Sequence, residues 1–485
     1  MDLVIFKKLS GSKVTADSLY DAIVDAIEKC LLKPGDKLPS TRDIALCLGV
    51  SRTTVVKSID SLISRGYLNA IQGAGTWVTA GSEPEANRFD SISQLYPWEQ
   101  QYTNLASSLR TLGAEAIESV EFDEINFGSQ PPDLVPIKQW RKILLKLSDS
   151  IPTAGFAANQ EVFGYRPLRE AIAGFLRRNK GIICDADQIV LDSGVQSVVS
   201  PVFNLLMKRG DRVVCEDPGF YGAREQFESL GAHVVPVGVD GEGLIVDALE
   251  NLDKPAQWLY VAPSCQEPTG VTLSENRRDK LLTWCAKNET AILEDDWDSE
   301  FHYRGQSAPA LFTLDTTGSV IYFYSFWRLL YPLISIGFLV IPRRLIPVFE
   351  SYKSVWDRQF TLIEHYALTE LITEGHIEKH LRMTWKYYRK QRQSLIYALT
   401  NSFKKNVDVG QSSTGMHVVV RFNLNWSNEF IQKCALSAGL PLASTAPYYV
   451  HRAQINEFMI RFSSIATSEI DTMVATFARL LSQGT

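Results

Sequence analysis

Seven consecutive residues, Glu294-Asp295-Asp296-Trp297-Asp298-Ser299-Glu300, put five carboxylates directly after the apolar run Ala291-Ile-Leu. Acids packed this closely can hold a metal or a buried cation. The seven histidines show no ligand spacing around them, and the seven cysteines include no C-x-x-C pair, so no metal site is expected. His302 and His417 read as packing or surface residues, and the acidic run as a structural strand end. Two arginines stand out for the opposite charge. Arg328 sits inside the apolar stretch 320–342, next to Trp327, and Arg461 lies in Met459-Ile-Arg-Phe. A guanidinium stays protonated at biological pH and offers five N–H donors, so it grips anions but supplies no nucleophilic amine. Ser193-Gly194-Val-Gln196 follows a strand-like run, and the backbone N–H groups of such a strand-to-helix turn suit an oxyanion.

The elements that must position these groups fall into two kinds. From residue 122 onward, short apolar runs alternate with helical patterns: Gln188-Ile-Val-Leu, Asp211-Arg-Val-Val-Cys, His233-Val-Val-Pro-Val, Gln257-Trp-Leu-Tyr-Val, Thr290-Ala-Ile-Leu-Glu and Ser319-Val-Ile-Tyr-Phe. That alternation predicts an α/β domain around a mostly parallel, buried sheet. Residues 1–80 read differently. Leu19, Ile23, Val24, Ile27 and Leu31 recur at helical spacing and predict a helix over about 15–32. Ser40 with Asp43 three residues on reads as a capping box for a short helix through Leu48. Gly49-Val50 turns the chain, and Ser51 caps a third helix with Val55, Ile59 and Leu62 inward. The glycine-rich stretch around 71–78 reads as a β-hairpin wing, completing a winged helix-turn-helix. Its third helix is suited to the major groove, with Arg52 matched to guanine and Thr53, Thr54 and Lys57 to phosphates or bases.

Bulk properties agree with two folded regions. The 485 residues are 45% hydrophobic and 21% charged, ordinary for a globular chain. Net charge is −6, yet residues 1–80 carry ten Lys/Arg against eight Asp/Glu, leaving −8 for the remainder. Unpaired, scattered cysteines and a start without a secretory pattern predict reduced thiols and a cytoplasmic location. The apolar stretch 320–342 raises a membrane span only to be discounted, since Arg328, Pro332 and Gly337 interrupt it. Residues 81–121 are polar and turn-rich at their start, and read as a linker with some helix in 99–118.

Two resemblances follow from these motifs. Leu38-Pro-Ser40-Thr-Arg42-Asp-Ile-Ala, Leu48-Gly-Val-Ser51-Arg52-Thr53-Thr54-Val and Gly73-x-Gly75-Thr76 resemble the signature of GntR-type regulators, which implies DNA binding through those residues. Phe163-Gly164-Tyr-Arg-Pro-Leu-Arg169, Glu216-Asp-Pro-Gly-Phe220, Pro268-Thr-Gly270 and the acidic run resemble the aminotransferase-like half of the MocR subfamily, a GntR head fused to a fold-type I domain. That resemblance spans essentially the whole chain. It implies a pocket for pyridoxal phosphate (PLP), which needs an amine, a carboxylate for the ring nitrogen, a donor for the ring oxygen, an aromatic face and a phosphate cradle.

Position by position, part of that pocket remains. Asp295 keeps the carboxylate, Phe220 the aromatic face, Gly194 and Gln196 part of the cradle, and Arg461 the substrate-carboxylate clamp. Ser325 keeps the frame ahead of the lysine position. Five positions depart from the pattern: Arg328 stands for the Schiff-base lysine, Trp297 for the ring-oxygen tyrosine, and Trp327 for a serine. Ser335 replaces the phosphate-binding arginine, and Asn159 a phosphate-binding tyrosine. Covalent PLP is therefore not expected, and Arg328 is expected to pair with Asp295. The pocket's use stays open among packing, a new ligand, and PLP held noncovalently.

The expectation for the whole chain is a winged helix (1–80), a linker (81–121) and an aminotransferase-like domain (122–485). It would act as a homodimeric transcriptional regulator of double-stranded DNA, with a possible small-molecule effector and no membrane role. Two rival readings remain. An active aminotransferase would need another lysine, of which Lys287, Lys353 and Lys386 have no motif behind them. A ligand-independent dimeric scaffold is the other.

Overall fold

The structure is a computed structural model that describes residues 14–29, 31–71, 74–79, 134–150, 161–194, 197–304, 308–356, 362–410, 412–423, 425–451 and 453–483. The chain divides into two compact units, Met1–Tyr102 and Thr103–Thr485. The expected linker 81–121 lies outside the described residues.

In the first unit α1 spans Ala16–Glu28, α2 Thr41–Leu48 and α3 Arg52–Ser64, followed by β1 (Leu68–Ile71) and β2 (Gly75–Val78). Capping fixes the helix starts. Thr15 and Ser18 form a reciprocal capping box on α1. Ser40 accepts the Asp43 amide on α2, and Ser51 the Thr54 amide on α3. Each such cap contributes about 1 kcal/mol. Gly49 ends α2 in the left-handed region at φ 66°, a conformation that makes the tight turn of the motif cheap only for glycine. Leu19, Ile23, Ile27, Ile44, Val55, Ile59 and Leu62 close a core over which β1 and β2 pair antiparallel, Leu68 opposite Val78. The first helix is shorter than its apolar periodicity implied. It stops at Glu28, so Leu31 is 58% exposed and Leu32 takes the buried place.

The second unit begins with α4 (Ile137–Ser150), α5 (Arg166–Lys180), β3 (Ile189–Ser193), α6 (Ser200–Leu206), β4 (Arg212–Asp217) and α7 (Tyr221–Ser229). It continues through β5 (His233–Asp240), β6 (Gly243–Leu244), β7 (Trp258–Val261), α8 (Glu275–Asn288), β8 (Ala291–Asp295) and α9 (Leu311–Leu314). Then come β9 (Val320–Ser325), α10 (Trp327–Leu330), β10 (Ile336–Val340), α11 (Ile346–Trp356), α12 (Leu362–Thr373) and the 28-residue α13 (His376–Phe403). These build an eight-stranded sheet in the order β3-β10-β9-β8-β7-β4-β5-β6. Strands β5, β4, β7, β8 and β9 pair in parallel. β10 runs antiparallel to both β9 and β3.

The suspected membrane stretch thus becomes β9, α10 and β10, two fully central strands whose apolar side chains face protein on both sides. No helix among the described residues is long and apolar enough to cross a membrane. The C-terminal part adds β11 (Val407–Val409), β12 (His417–Phe422), α14 (Asn428–Ser437), β13 (Leu442–Ser444), β14 (Glu457–Arg461) and α15 (Ile470–Gln483). Its four strands form a separate sheet in the order β11-β12-β14-β13.

Candidate functional site

In the first unit the first turn of α3 carries no acid, and Arg52, Thr53 and Lys57 are exposed on it, as is Arg42 on α2. Arg52 Nε donates to Thr41 Oγ1 at 3.4 Å, which links the start of α3 to the start of α2. Ser40 and Ser51 spend their hydroxyls on capping. Ser40 Oγ also donates to Asp43 at 2.7 Å, and Ser51 Oγ shares a 2.8 Å hydrogen bond with Thr54. Ser40, Ser51 and Thr54 thus shape the helix starts first. Gly75 opens β2 at φ 129°, and a side chain there would collide with Lys37, whose ammonium lies 5.2 Å from the Trp77 ring. The Thr76 carbonyl accepts the Leu38 amide. Gly73 lies outside the described residues.

The second unit gathers its charged groups where β8, β9 and β14 end. β8 delivers Asp295 into the interior, where its Oδ2 accepts the Tyr260 hydroxyl at 2.5 Å and its Oδ1 has no hydrogen-bond partner. Burial pushes this carboxyl well above the usual carboxylate range, against the pull of the Tyr260 hydroxyl. The expected pair between Arg328 and Asp295 does not form. Arg328 Nε lies 3.8 Å from Asp298 Oδ1 instead. The reason is backbone geometry: Asp298 takes a left-handed φ of 50° in the turn after β8, while Asp295, still in the strand, is directed at Tyr260 on neighbouring β7.

The Arg328 guanidinium lies 4.9 Å from the Trp297 ring and 5.2 Å from the Trp327 ring. Trp297 in turn stacks on His417 with centroids 6.0 Å apart and planes at 11°, and Trp327 packs on Tyr331 at 5.3 Å. The substitutions that read as separate losses join in one chain of contacts, the Arg328 stack: Tyr331, Trp327, Arg328, Trp297, His417. His417 is fully buried, its pKa pushed down to about 3 by desolvation, and its neutral ring hydrogen-bonds the Pro268 carbonyl at 2.6 Å. Ser325 holds the start of α10, accepting the Trp327 amide at 3.1 Å and donating to the Ile336 carbonyl at 3.3 Å.

Around this stack lies a charge-balanced group. Arg461, at the end of β14, is fully buried; desolvation and the nearby Arg328 cation push its pKa down to about 9, against the pull of Asp298 and Glu267. Glu267, raised to about 7 by burial, accepts the Tyr448 hydroxyl at 3.1 Å. Glu267 and Tyr448 went unread in the sequence, although the carboxylate immediately precedes the Pro268-Thr-Gly270 motif. Ser335 is exposed, and its carbonyl accepts the Gly194 amide at 2.5 Å. Phe220 is half-buried at the start of α7, folded over Gly222 and 5.7 Å from Tyr221. Asn159 and Gln196 lie outside the described residues.

The rest of the acidic run is structural. Glu294 accepts the Leu311 and Phe312 amides, each at 2.8 Å, capping α9. Lys180 lies 3.1 Å from Asp296 and 2.7 Å from Glu300. Among the described residues no group of His, Cys, Asp and Glu is arranged for a metal. Of the lysines considered as substitutes, Lys353 is buried 3.1 Å from Asp192, Lys287 reaches Glu250 at the surface, and Lys386 is exposed.

Comparison with known proteins places both units. Residues 123–475 match aminotransferase class I and II, and residues 15–78 match the gntR family of bacterial regulatory proteins. The chain belongs to the aminotransferase class I and II family, joined to a GntR-type head in the MocR arrangement. It is 29% identical to a probable rhizopine catabolism regulatory protein, MocR, of Rhizobium meliloti, over 89% of this chain and 87% of that one. It is 27% identical to the HTH-type transcriptional regulator YhdI of Bacillus subtilis, over 97% and 96%. Among solved structures, a kynurenine aminotransferase of Pyrococcus horikoshii superposes with a TM-score of 0.66 at 25% identity, covering 74% of this chain and 90% of that one.

Proposed function

We propose that the protein is a cytoplasmic transcriptional regulator that binds operator DNA through α3 and its wing and uses the aminotransferase-like unit for pairing and sensing, not catalysis. The observation that carries the second half is the Arg328 stack. A lysine-anchored PLP needs a neutral amine at that position, and Arg328 is a cation held between two tryptophans and beside Asp298. One atom does suit the cofactor, since the buried Asp295 Oδ1 lacks a partner. The described positions that depart from the family pattern do not. Trp297 and Trp327 pack against Arg328, and Ser335 presents a short exposed hydroxyl where the phosphate arginine is expected. The unit therefore does not fit covalent PLP, and no reaction is assigned to it.

The first half rests on the acid-free, exposed start of α3 behind two capped helix ends. Homodimer formation has support in Val348, Val355 and Trp356, which leave an apolar strip exposed along α11 of a lone chain. Two heads per dimer would engage repeated or palindromic half-sites.

The test uses the full chain and a duplex recovered by in-vitro selection, with affinity read by fluorescence anisotropy. Arg52→Ala should weaken the selected duplex by about 1–3 kcal/mol and relax base preference. Lys57→Ala should weaken all duplexes alike and lower the salt slope by about one. Failure to enrich any duplex, or indifference to both substitutions, contradicts the reading.

A further inference from the structure

A second charged cleft lies away from the Arg328 stack and shares none of its residues. It has a volume of about 470 Å³ and is bordered by Tyr303 and Arg304 on one side and by Arg389, Arg392, Tyr397 and Thr400 of α13 on the other. Three guanidiniums meet here, and no carboxylate stands among the described lining residues. Several other buried or half-buried cations of this unit have acids: Lys180 has Asp296 and Glu300, Lys353 has Asp192, Arg328 has Asp298. Fully buried Arg278 instead spends its donors on the Leu273, Pro309 and Pro263 carbonyls.

Arg392 is the informative member. It is 6% exposed, its Nη2 donates only to the Ser412 carbonyl, and its Nε is buried with no hydrogen-bond partner. A buried cation without a counter-charge is costly. Desolvation pushes the Arg392 pKa down, and the like charge of Arg304 adds to that against the opposing pull of Tyr303. Aromatic rings hold two of the cations in place without using N–H donors. Arg392 lies 5.6 Å from the Tyr303 ring and Arg389 5.2 Å from the Trp385 ring, and Tyr303 and Trp385 stack on each other at 6.4 Å. An uncompensated triad, preorganised by stacking and set in a cleft of small-molecule size, has the chemistry of an oxyanion receptor.

We infer that this cleft binds a small polyanion, bearing phosphate or several carboxylates, as an effector site of the regulator. Tyr303 connects it to the interior, since its ring also packs on Phe462, the neighbour of Arg461, at 6.3 Å.

Isothermal titration of the full-length protein with inorganic pyrophosphate and, separately, with citrate tests this at constant ionic strength set with chloride. The expected result is saturable binding of at least one of them. Arg304→Gln/Arg389→Gln should weaken it tenfold or more; both side chains are exposed, so the fold should tolerate the change. Preference for pyrophosphate would mark a phosphate ligand, and preference for citrate a polycarboxylate. A pyrophosphate and citrate response that never saturates, or one unchanged in the double variant, overturns the proposal. So does capture of a non-specific DNA duplex by these arginines with no binding of either small anion.

Discussion

Arg328 carries two interactions that a lysine would not reproduce together: guanidinium contact with two indoles and a charge beside buried Asp298. Cation–π contacts contribute about 0.5–1 kcal/mol each, more when desolvated. Removing one partner of a buried ion pair costs about 3–5 kcal/mol, because the other charge is left unpaired. The pair here is long and Arg461 also faces Asp298, so the lower end applies. Arg328→Met should therefore lower unfolding stability by about 3 kcal/mol in urea titration, and Arg328→Lys by about 1 kcal/mol through lost stacking. Unchanged midpoints in both would remove the stack from the account. The residue types were legible in the sequence, but their partners were not. The spacing of Asp295 and Asp298 gives no sign that a left-handed φ at Asp298 turns that carboxyl, rather than the strand residue, toward Arg328.

At the scale of elements, the strand ends concentrate buried acids. Glu216 closes β4, Glu294 lies on β8 and Glu267 follows β7; burial raises them to about 8, about 7 and about 7. In each the folded state holds its proton more tightly than the unfolded chain. Stability is then fully present below the ordinary carboxyl range and is lost as pH rises through the folded values. The buried His365 and His417, lowered to about 4 and about 3, act oppositely, but only below about pH 6.5. Between pH 7 and 8 these carboxyls dominate the pH dependence, so the urea midpoint should fall across that range. Glu216→Gln should flatten that decline, whereas a plateau or a rise would contradict the burial argument. Helix starts were readable from local chemistry, as Ser40 and Ser51 show. The end of α1 was not, because an apolar period ran on to Leu31 after the helix had stopped at Glu28.

For the whole molecule, the alternation of apolar runs with helical patterns was enough to give the α/β class. It could not reveal that β10 runs against its neighbours, since a strand buried on both faces reads as the same apolar run in either direction. The same limit hid the arginine cleft, whose members come from one turn and one long helix nearly ninety residues apart in sequence. The family frame, matched over residues 123–475, accounts for the sheet and helices of a unit that carries arginine in place of lysine at position 328. The most direct test is borohydride reduction of the purified protein after incubation with PLP, followed by mass analysis under denaturing conditions. An unmodified chain mass, with the absorbance of free PLP alone, is the predicted result. A stable phosphopyridoxyl adduct on a lysine of the aminotransferase-like unit would contradict it.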